Sequence, residues 1–303
     1  MNHPSPLVSI VTPCLNRGHM IEEAIESVLQ QNYPHVEHII VDGGSTDNTL
    51  AILKKYPHLK VLSEPDKNLY DGLNKGIRLA KGNIIGHLNS DDRFTPHCFK
   101  EIVHAFETAP ECDSVCGGAL IFETQQKTTT IIQRYESEKL KSLSLDNITM
   151  GMPIINARFF RKSVYEKIGL YDIRYKIAAD REFLLRAYLA LIKTHTINST
   201  IYQYRQHPSS LTFNTIESKL PDLHPEYLDI IRRYHDDLNM PHEIRIACRN
   251  WHNWMAGYAV KQSFRQGSVQ QAFKMIAKGI KFDIYFLPRY MHQLLKHRKT
   301  NGK

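Results

Sequence analysis

Two adjacent carboxylates, Asp91 and Asp92, close an apolar segment that begins at Ile84. The apolar residues predict a buried strand. A parallel strand that ends in charged side chains emerges at the edge where open α/β sheets bind their ligands. Two carboxylates that lie close together suit a hard divalent cation that substrate phosphates also hold. The alternative is a solvated pair that caps a helix predicted to begin near Pro96.

A regular alternation of strands and helices must position this pair. Apolar runs predict strands at 7–11, 38–41, 60–62 and 84–88, and amphipathic patterns predict helices between them. The short connections imply parallel βαβ units in a sheet that helices cover on both faces.

Asp42 ends the second predicted strand, directly before Gly43 and Gly44. Its carboxylate could accept hydrogen bonds from a base or a ribose, or it could simply form the turn, and the residues alone leave the two interpretations equal. No G-x-G-x-x-G follows the first strand, and no G-x-x-x-x-G-K-[ST] occurs. The motifs of a dinucleotide Rossmann site and of a P-loop are therefore missing.

The second part of the chain is less regular. Polar residues 123–146 fit either a hairpin or a mobile loop, and the chain becomes helical after Leu211. Apolar and basic residues over 269–280 predict a basic amphipathic helix. The other predicted elements are helices over 96–107 and from Asp180, and strands over 114–122 and 196–204.

Charge is distributed unevenly along the 303 residues. Residues 244–303 carry 12 Lys and Arg against the single acid Asp283, whereas the remaining residues carry 27 Lys and Arg against 30 Asp and Glu. Such a basic segment suits an anionic membrane surface or nucleic acid, although no nucleic-acid-reading motif is recognisable. Its apolar face could instead pack on the catalytic domain or on a second subunit, as in a homodimer.

The composition predicts a cytoplasmic protein. No apolar run approaches the roughly 18 residues of a membrane span. The first residues lack the basic and apolar regions of a secretory signal. The five cysteines do not form a disulfide framework or a paired zinc motif, so free thiols are expected.

Four motifs together resemble family 2 glycosyltransferases, a family of inverting, metal-dependent enzymes with the GT-A fold and nucleotide-sugar donors. The resemblance covers residues 7–94 and resumes from 159–162 through 179–186. The combined pattern of motifs is similar to that of bacterial enzymes that build capsule, exopolysaccharide or lipopolysaccharide. The motifs are Val8-Ser9-Ile10-Val11-Thr12-Pro13, Val41-Asp42-Gly43-Gly44-Ser45-Thr46-Asp47, Tyr70-Asp71-Gly72-Leu73-Asn74-Lys75-Gly76 and Asn89-Ser90-Asp91-Asp92.

The resemblance assigns roles to particular residues. Asp91 falls at the carboxylate that binds Mn²⁺ or Mg²⁺, with Asp92 as its support, and Asn89 stands where the family has its first acid. Asp180 falls at the general base, although a helix N-cap is its alternative role and Glu182 is a second acid in the same turn. The residues expected to bind the nucleotide-sugar are Thr12, Pro13, Asn16, Asp42, Asp66, Gly72, Asn74, Asn89 and Asp92.

Weaker expectations concern three further side chains. Lys75 either compensates for an arginine that the family has at Leu73 or is a solvated helix residue. Arg205 and His207 fall where a loop often closes over the donor, and His207 is a distant candidate for a metal ligand.

The expected architecture is α/β, with a Rossmann-like, mostly parallel central sheet flanked by helices. Residues 1–215 form the catalytic domain, in which 1–113 bind the nucleotide-sugar and 114–215 bind the acceptor, and 216–303 form a helical basic region.

The expected reaction moves one hexosyl or N-acetylhexosaminyl group per encounter to a hydroxyl of a glycan or lipid-diphosphate-linked acceptor, because the Q-x-x-R-W motif and membrane spans of processive relatives are absent. The basic region would hold the enzyme at the inner face of the membrane. The alternatives are a nucleotidyltransferase on a related sheet and an inactive carbohydrate- or membrane-binding scaffold.

Overall fold

The computed structural model describes residues 5–125, 128–136, 138–208 and 225–301. The chain divides into two units. One comprises Met1–Asn147 with Met152–Ile216, and the other comprises Ile148–Gly151 with Glu217–Lys303.

The first part of the sheet is parallel, as the strand–helix alternation predicts. The strand order β3-β2-β1-β4 places β1 at the centre, with β2 and β4 on either side. β1, β2 and β4 are buried because helices cover both faces of a parallel sheet, whereas β3 at its edge is largely exposed. The elements are β1 (Val8–Cys14), α1 (Ile21–Leu29), β2 (Val36–Asp42), α2 (Thr49–Leu53), β3 (Lys60–Ser63), α3 (Leu69–Leu79) and β4 (Ile84–His87).

The second part of the sheet is mixed. The elements are β5 (Arg93–Phe94), α4 (Cys98–Thr108), β6 (Ser114–Gln125), β7 (Thr128–Tyr135), α5 (Glu138–Lys141), α6 (Leu145–Thr149), β8 (Arg158–Arg161), α7 (Lys162–Ile168), α8 (Ala179–Leu189) and β9 (Thr194–Arg205). β8 lies antiparallel between β4 and β6, and β6 is parallel to β9. Strands β1, β2, β3, β4, β6 and β9 therefore share one direction, and the predicted α/β architecture with a mostly parallel sheet is confirmed.

Several boundaries differ from the prediction. α3 ends at Leu79 with Ala80 as its C-cap, and the backbone N–H of Gly82 just beyond it donates to Ser9 and Glu37. α8 begins at Ala179, which places Asp180 inside the first turn rather than at the N-cap. Residues 123–146 include the second strand of a hairpin, because β7 pairs with β6. The predicted start of a helix after 211 lies outside the described residues.

An aromatic cluster supports the loop that follows β4. The ring of Phe94 lies 5.3 Å from Phe99, 5.6 Å from Phe159 and 5.6 Å from Tyr202, measured between centroids. All four side chains are buried, so the loop that carries Asp91 is supported by a closely packed aromatic cluster.

The C-terminal unit is helical and contains α9 (Pro225–Asp236), α10 (His242–Arg265), α11 (Val269–Phe282) and α12 (Phe286–Asn301). Its core includes Ala256, Ala259, Met275 and Phe286. Among the helices of the described residues, none combines the length and the apolar character needed to cross a bilayer.

Candidate active site

Asp92 points into the protein, and its carboxylate is fully engaged there. It accepts hydrogen bonds from the Tyr202 hydroxyl at 2.8 Å, the Asn89 side-chain amide at 3.0 Å and the Arg205 backbone N–H at 2.8 Å. Burial and the neighbouring charge of Asp91 raise the pKa of Asp92 to about 8, and the three hydrogen bonds oppose that rise. Asp92 therefore joins the loop after β4 to the end of β9.

Asp91 points the other way, and its side chain is 18% exposed to solvent. Its Oδ2 lies 2.9 Å from Nε2 of His207, and its backbone carbonyl accepts a hydrogen bond from Arg205 Nε at 3.0 Å. From the sequence, His207 was only a distant candidate for a metal ligand, whereas the structure places it against Asp91, the predicted metal ligand.

The Asp91–His207 pair offers one oxygen and one nitrogen donor to a cation. In the part of the chain that the structure describes, no three His, Cys, Asp or Glu side chains are grouped to hold a metal ion. Mg²⁺ and similar cations are usually bound through one or two carboxylates, with substrate phosphates and waters completing the shell. The donor set therefore fits a cation that arrives with a phosphorylated substrate.

Arg205 connects this site to α1 and to the β6–β7 hairpin. Its guanidinium contacts Glu23, donates to Thr124 Oγ1 at 3.2 Å and lies 4.6 Å from the Phe122 ring centroid. Arg93 covers the same ring at 4.2 Å. Sequence reasoning missed Glu23 and Phe122, because their partners are far away along the chain and no local pattern marks them.

A second group of predicted residues meets around Asp66. If Gly72 had a Cβ, that atom would lie 2.8 Å from Asp66 Oδ2 and 3.3 Å from Pro13 Cβ, so this close approach requires glycine. Lys75 Nζ lies 2.7 Å from Asp66 Oδ1, and its side chain is 16% exposed. Lys75 is thus an ion-pair partner, and the expectation of a solvated helix residue is wrong.

Asp42 is buried at the end of β2 and shapes the turn that follows. Its Oδ2 accepts hydrogen bonds from the Ser63 hydroxyl at 2.7 Å and the Ser45 N–H at 3.1 Å. Burial alone would raise the pKa of Asp42, but these hydrogen bonds and that of the Gly44 N–H hold it below its usual value. The turn-forming contacts that the sequence allowed are therefore present.

Two predicted donor-binding residues near the end of β1 form hydrogen bonds to other residues of the protein through their side chains. The Thr12 hydroxyl is buried and lies 2.9 Å from His38 Nε2. Asn16, at φ 54°, accepts hydrogen bonds from the backbone N–H groups of Thr46 and Asp47 at 2.8 and 3.3 Å. Asn16 therefore fixes the loop after β2 to the loop after β1.

Helix α3 holds the segment that leads to Asp180. Asn74, buried in this helix, donates to the Tyr171 carbonyl at 2.8 Å and accepts from the Tyr171 N–H at 3.0 Å. Asn68 Nδ2 binds the Ile173 carbonyl at 2.8 Å, and the Tyr70 hydroxyl binds the Ile177 carbonyl at 3.1 Å. Asn74 was predicted to bind the donor, and its amide is occupied by this backbone instead.

The two acids in the first turn of α8 have different surroundings. Glu182 is buried and receives Arg186 Nε on both oxygens at 3.0 and 2.9 Å, and Arg186 also binds the Leu170 carbonyl. Asp180 is partly exposed, and its Oδ1 accepts the Arg181 N–H at 2.7 Å. Of the two acids, Asp180 is the one that a substrate can reach.

Tyr204 relates Asp180 to the site at β4. Burial raises the pKa of Tyr204, and the charges of Asp92 and Asp180 both add to that rise. The two carboxylates therefore both act on the same half-buried side chain.

Comparison with known proteins gives the family. The profile described as Glycosyl transferase family 2 matches residues 9–169. An uncharacterised glycosyltransferase of Mycobacterium tuberculosis is 32% identical over 191 residues, which are 61% of this chain and 70% of the relative. A PGL/p-HBAD biosynthesis glycosyltransferase of Mycobacterium bovis is 29% identical over 192 residues, with the same two shares.

Two solved structures show the same fold. Residues 1–349 of S. aureus TarS superpose with a TM-score of 0.64 at 17% identity, covering 93% of this chain and 81% of that one. The mannosyltransferase PcManGT of Pyrobaculum calidifontis, solved with GDP-Man and Mn²⁺, has a TM-score of 0.56 at 17% identity and covers 97% and 85%. The chain belongs to glycosyl transferase family 2 and is a glycosyltransferase of the GT-A fold.

Proposed function

We propose that the chain transfers a hexosyl or N-acetylhexosaminyl group from a nucleoside-diphosphate sugar to an acceptor hydroxyl, with inversion and one sugar per encounter. The observation that carries this proposal is the divergence of Asp91 and Asp92. Asp92 is enclosed by three hydrogen-bond donors, whereas Asp91 stays partly exposed beside His207. A buried carboxylate thus positions an accessible one at the edge where α/β sheets bind ligands.

The donor lies along the carboxyl ends of β1, β2 and β4 in this proposal. Pro13, Gly72 and Asp66 provide a close-packed wall for the nucleotide. The turn fixed by Asp42 lies beside this wall, because a Cβ built at Gly43 would be 3.2 Å from Asp66 Oδ2. TarS has been solved with UDP-GlcNAc and PcManGT with GDP-Man, and these complexes support a nucleoside-diphosphate sugar as the donor class.

Asp91 and His207 hold Mn²⁺ or Mg²⁺ in this proposal. The cation, when bound, neutralises charge on the nucleoside diphosphate that leaves. Arg205 holds Asp91 and Asp92 in position, because its side chain donates to the Asp91 backbone carbonyl and its backbone N–H donates to the Asp92 carboxylate. The Mn²⁺ of the PcManGT complex supports the choice of metal.

Asp180 acts as the general base. The acceptor oxygen attacks the anomeric carbon from the face opposite the diphosphate and loses its proton to the Asp180 carboxylate. Asn68, Tyr70 and Asn74 fix the segment before it, so the base is held on a rigid element.

The proposed acceptor is a hydroxyl of a glycan or of a lipid-linked glycan in cell-surface polysaccharide or glycolipid synthesis at the cytoplasmic side of the membrane. The glycolipid pathway in the name of the mycobacterial relative supports this class. A nucleotidyltransferase would release pyrophosphate instead, and an inactive scaffold would release neither product.

The deciding experiment is a screen of nucleoside-diphosphate sugars, with and without Mn²⁺, that measures release of nucleoside diphosphate in the presence of acceptor glycans. The proposal expects release with one donor, dependence on the cation and loss of release with chelator. Release of pyrophosphate would identify the nucleotidyltransferase. Absence of both products with every donor, in protein that binds a donor, would identify the scaffold.

A further inference from the structure

The C-terminal unit carries an apolar surface that its own core does not cover. On α11, Val269, Phe273 and Ile280 are 53%, 63% and 42% exposed. They recur at the spacing of one helix face, whereas Ala272, Met275 and Gly279 form the buried face. α11 therefore has two apolar faces, only one of which packs within the protein.

Helix α12 extends this surface. Phe286 is buried against α11, where a Cβ at Gly279 would lie 2.5 Å from its ring, so the two helices meet closely. On the other side of α12, Leu287, Met291 and Leu295 are 44%, 56% and 57% exposed. Ile284, in the turn between the helices, is 77% exposed, so exposed apolar side chains continue along the chain from α11 through the turn into α12; they are called the α11–α12 patch. Such a patch on a soluble protein commonly marks an interaction surface.

Basic side chains accompany the patch on α11. Lys274, Lys278 and Lys281 are exposed on the adjoining face of α11. The one acid of residues 244–303, Asp283, is buried and neutralised, because Arg289 contacts both of its oxygens at 2.5 and 2.6 Å and Asn253 donates to it at 2.6 Å. Within residues 244–303 the exposed charge is therefore positive.

We propose that the α11–α12 patch is a membrane-docking surface that inserts Phe273, Ile280, Ile284, Leu287 and Met291 into the headgroup region of an anionic bilayer. The lysines contact the lipid phosphates, and apolar burial together with charge attraction gives reversible binding. A protein partner of the same area would need matching acidic side chains, and the exposed residues of α11 and α12 supply none to a second copy of this chain.

The test uses the full-length chain and co-sedimentation with vesicles of phosphatidylglycerol and phosphatidylcholine. We expect binding that requires phosphatidylglycerol and falls as salt rises. The variant Phe273→Ser/Ile284→Ser/Met291→Gln should bind about tenfold more weakly or worse, and Lys274→Gln/Lys278→Gln/Lys281→Gln should lose most of the anionic preference. Leu238→Ser is the matched control, because this leucine is 78% exposed outside the patch, and its binding should not change.

A labelling experiment avoids any dependence on how the variants fold. All five cysteines are buried, so Phe273→Cys introduces an accessible thiol for a polarity-sensitive fluorophore, and Leu238→Cys serves as its control. Vesicles should shift the emission of the label at 273 toward the blue and leave the label at 238 unchanged. Absence of binding to anionic vesicles, equal binding to duplex DNA, or a dimer that buries the label at 273 without lipid would each overturn the proposal. Transfer to a soluble acceptor should be the same in the patch variants, which separates this proposal from the catalytic one.

Discussion

Asn74 holds the backbone of Tyr171 through both ends of its side-chain amide, although the two residues are 97 positions apart. Helix α3 contributes Gly72 to the proposed donor wall and, through Asn74, fixes the segment that precedes Asp180. The donor site and the proposed base are therefore positioned by the same helix.

Replacing Asn74 by Ala tests this link. The variant leaves the Tyr171 N–H and carbonyl without their partner, so the free energy of unfolding should fall by about 1–3 kcal/mol. Because the base is then less well positioned, kcat should fall by about tenfold while the KM for the donor changes less. Steady-state kinetics and urea unfolding measure both effects, with Asn239→Ala on an exposed turn as the control. A rise in KM alone would instead mean that Asn74 binds the donor, as the sequence suggested.

Asp91→Ala should abolish the effect of metal on donor binding. The side chain is partly exposed and its Oδ2 pairs with His207, which is itself at the site, so the fold should be retained. Calorimetric titration of donor with Mn²⁺ should give an affinity lower by roughly tenfold or more than that of the unchanged chain. In chelator the two proteins should bind donor equally. If affinity with Mn²⁺ is unaltered, the metal assignment is wrong.

Asp92→Asn, at the next position, should behave differently. Its amide nitrogen would face the Tyr202 hydroxyl or the Arg205 N–H, both of which donate to the present carboxylate. A donor placed against a donor in a buried site costs about 1–3 kcal/mol of stability relative to the carboxylate, which thermal unfolding at pH 9, above the Asp92 pKa of about 8, measures. Equal stability of the Asp91→Ala and Asp92→Asn proteins would contradict the division of roles between the two residues.

Asp180→Asn should remove the base and keep the donor site. The proposal expects kcat to fall by about 10²- to 10⁴-fold with little change in donor affinity, because only proton transfer is lost. Asp146→Asn is the matched control, since Asp146 is an exposed acid in the first turn of α6. Turnover near normal in Asp180→Asn would eliminate this residue as the base.

Two buried histidines should make the fold sensitive to acid. Burial lowers the pKa of His38 to about 3 and that of His87 to about 4. Both values are below the unfolded pKa, so the unfolded chain binds more protons between about pH 6.5 and 4, and stability is lost as pH falls through that range. Each group contributes up to about 2 kcal/mol of loss between pH 7 and 5.

Urea unfolding at pH 7, 6 and 5 checks this prediction. His38→Gln keeps a side-chain partner for the Thr12 hydroxyl and removes one titrating group, so the dependence on pH should become shallower. In the described residues the Nδ1 of His38 has no hydrogen-bond partner, and a proton there would be unsatisfied. An unchanged slope in the variant would show that His38 is not responsible.

The sequence was most informative where contacts are local. The run from Val8 to Asp92 predicts its strands and helices because each apolar pattern reports burial of that element alone. The antiparallel β8 between β4 and β6 was not predicted, since pairing between distant strands leaves no mark on either. The same reason explains why the contact between Asp91 and His207, 116 residues apart, stayed a distant candidate.

Residue types also concealed which way polar side chains point. Asp42 and Asn74 have the chemistry of donor ligands, yet their polar groups hold backbone in the structure. A motif of this kind combines residues that contact ligand with residues that hold those contacts in place, and spacing along the chain does not separate them.

The contact of Asp66 with Gly72 limits how the enzyme can be engineered. A methyl group at 72 would meet a carboxylate oxygen at 2.8 Å and the Pro13 ring at 3.3 Å, so even alanine must displace the wall. The shape of the proposed donor wall therefore depends on the absence of a side chain at position 72. Libraries that aim to alter the choice of nucleotide should therefore leave position 72 unchanged and vary the side chains that face it.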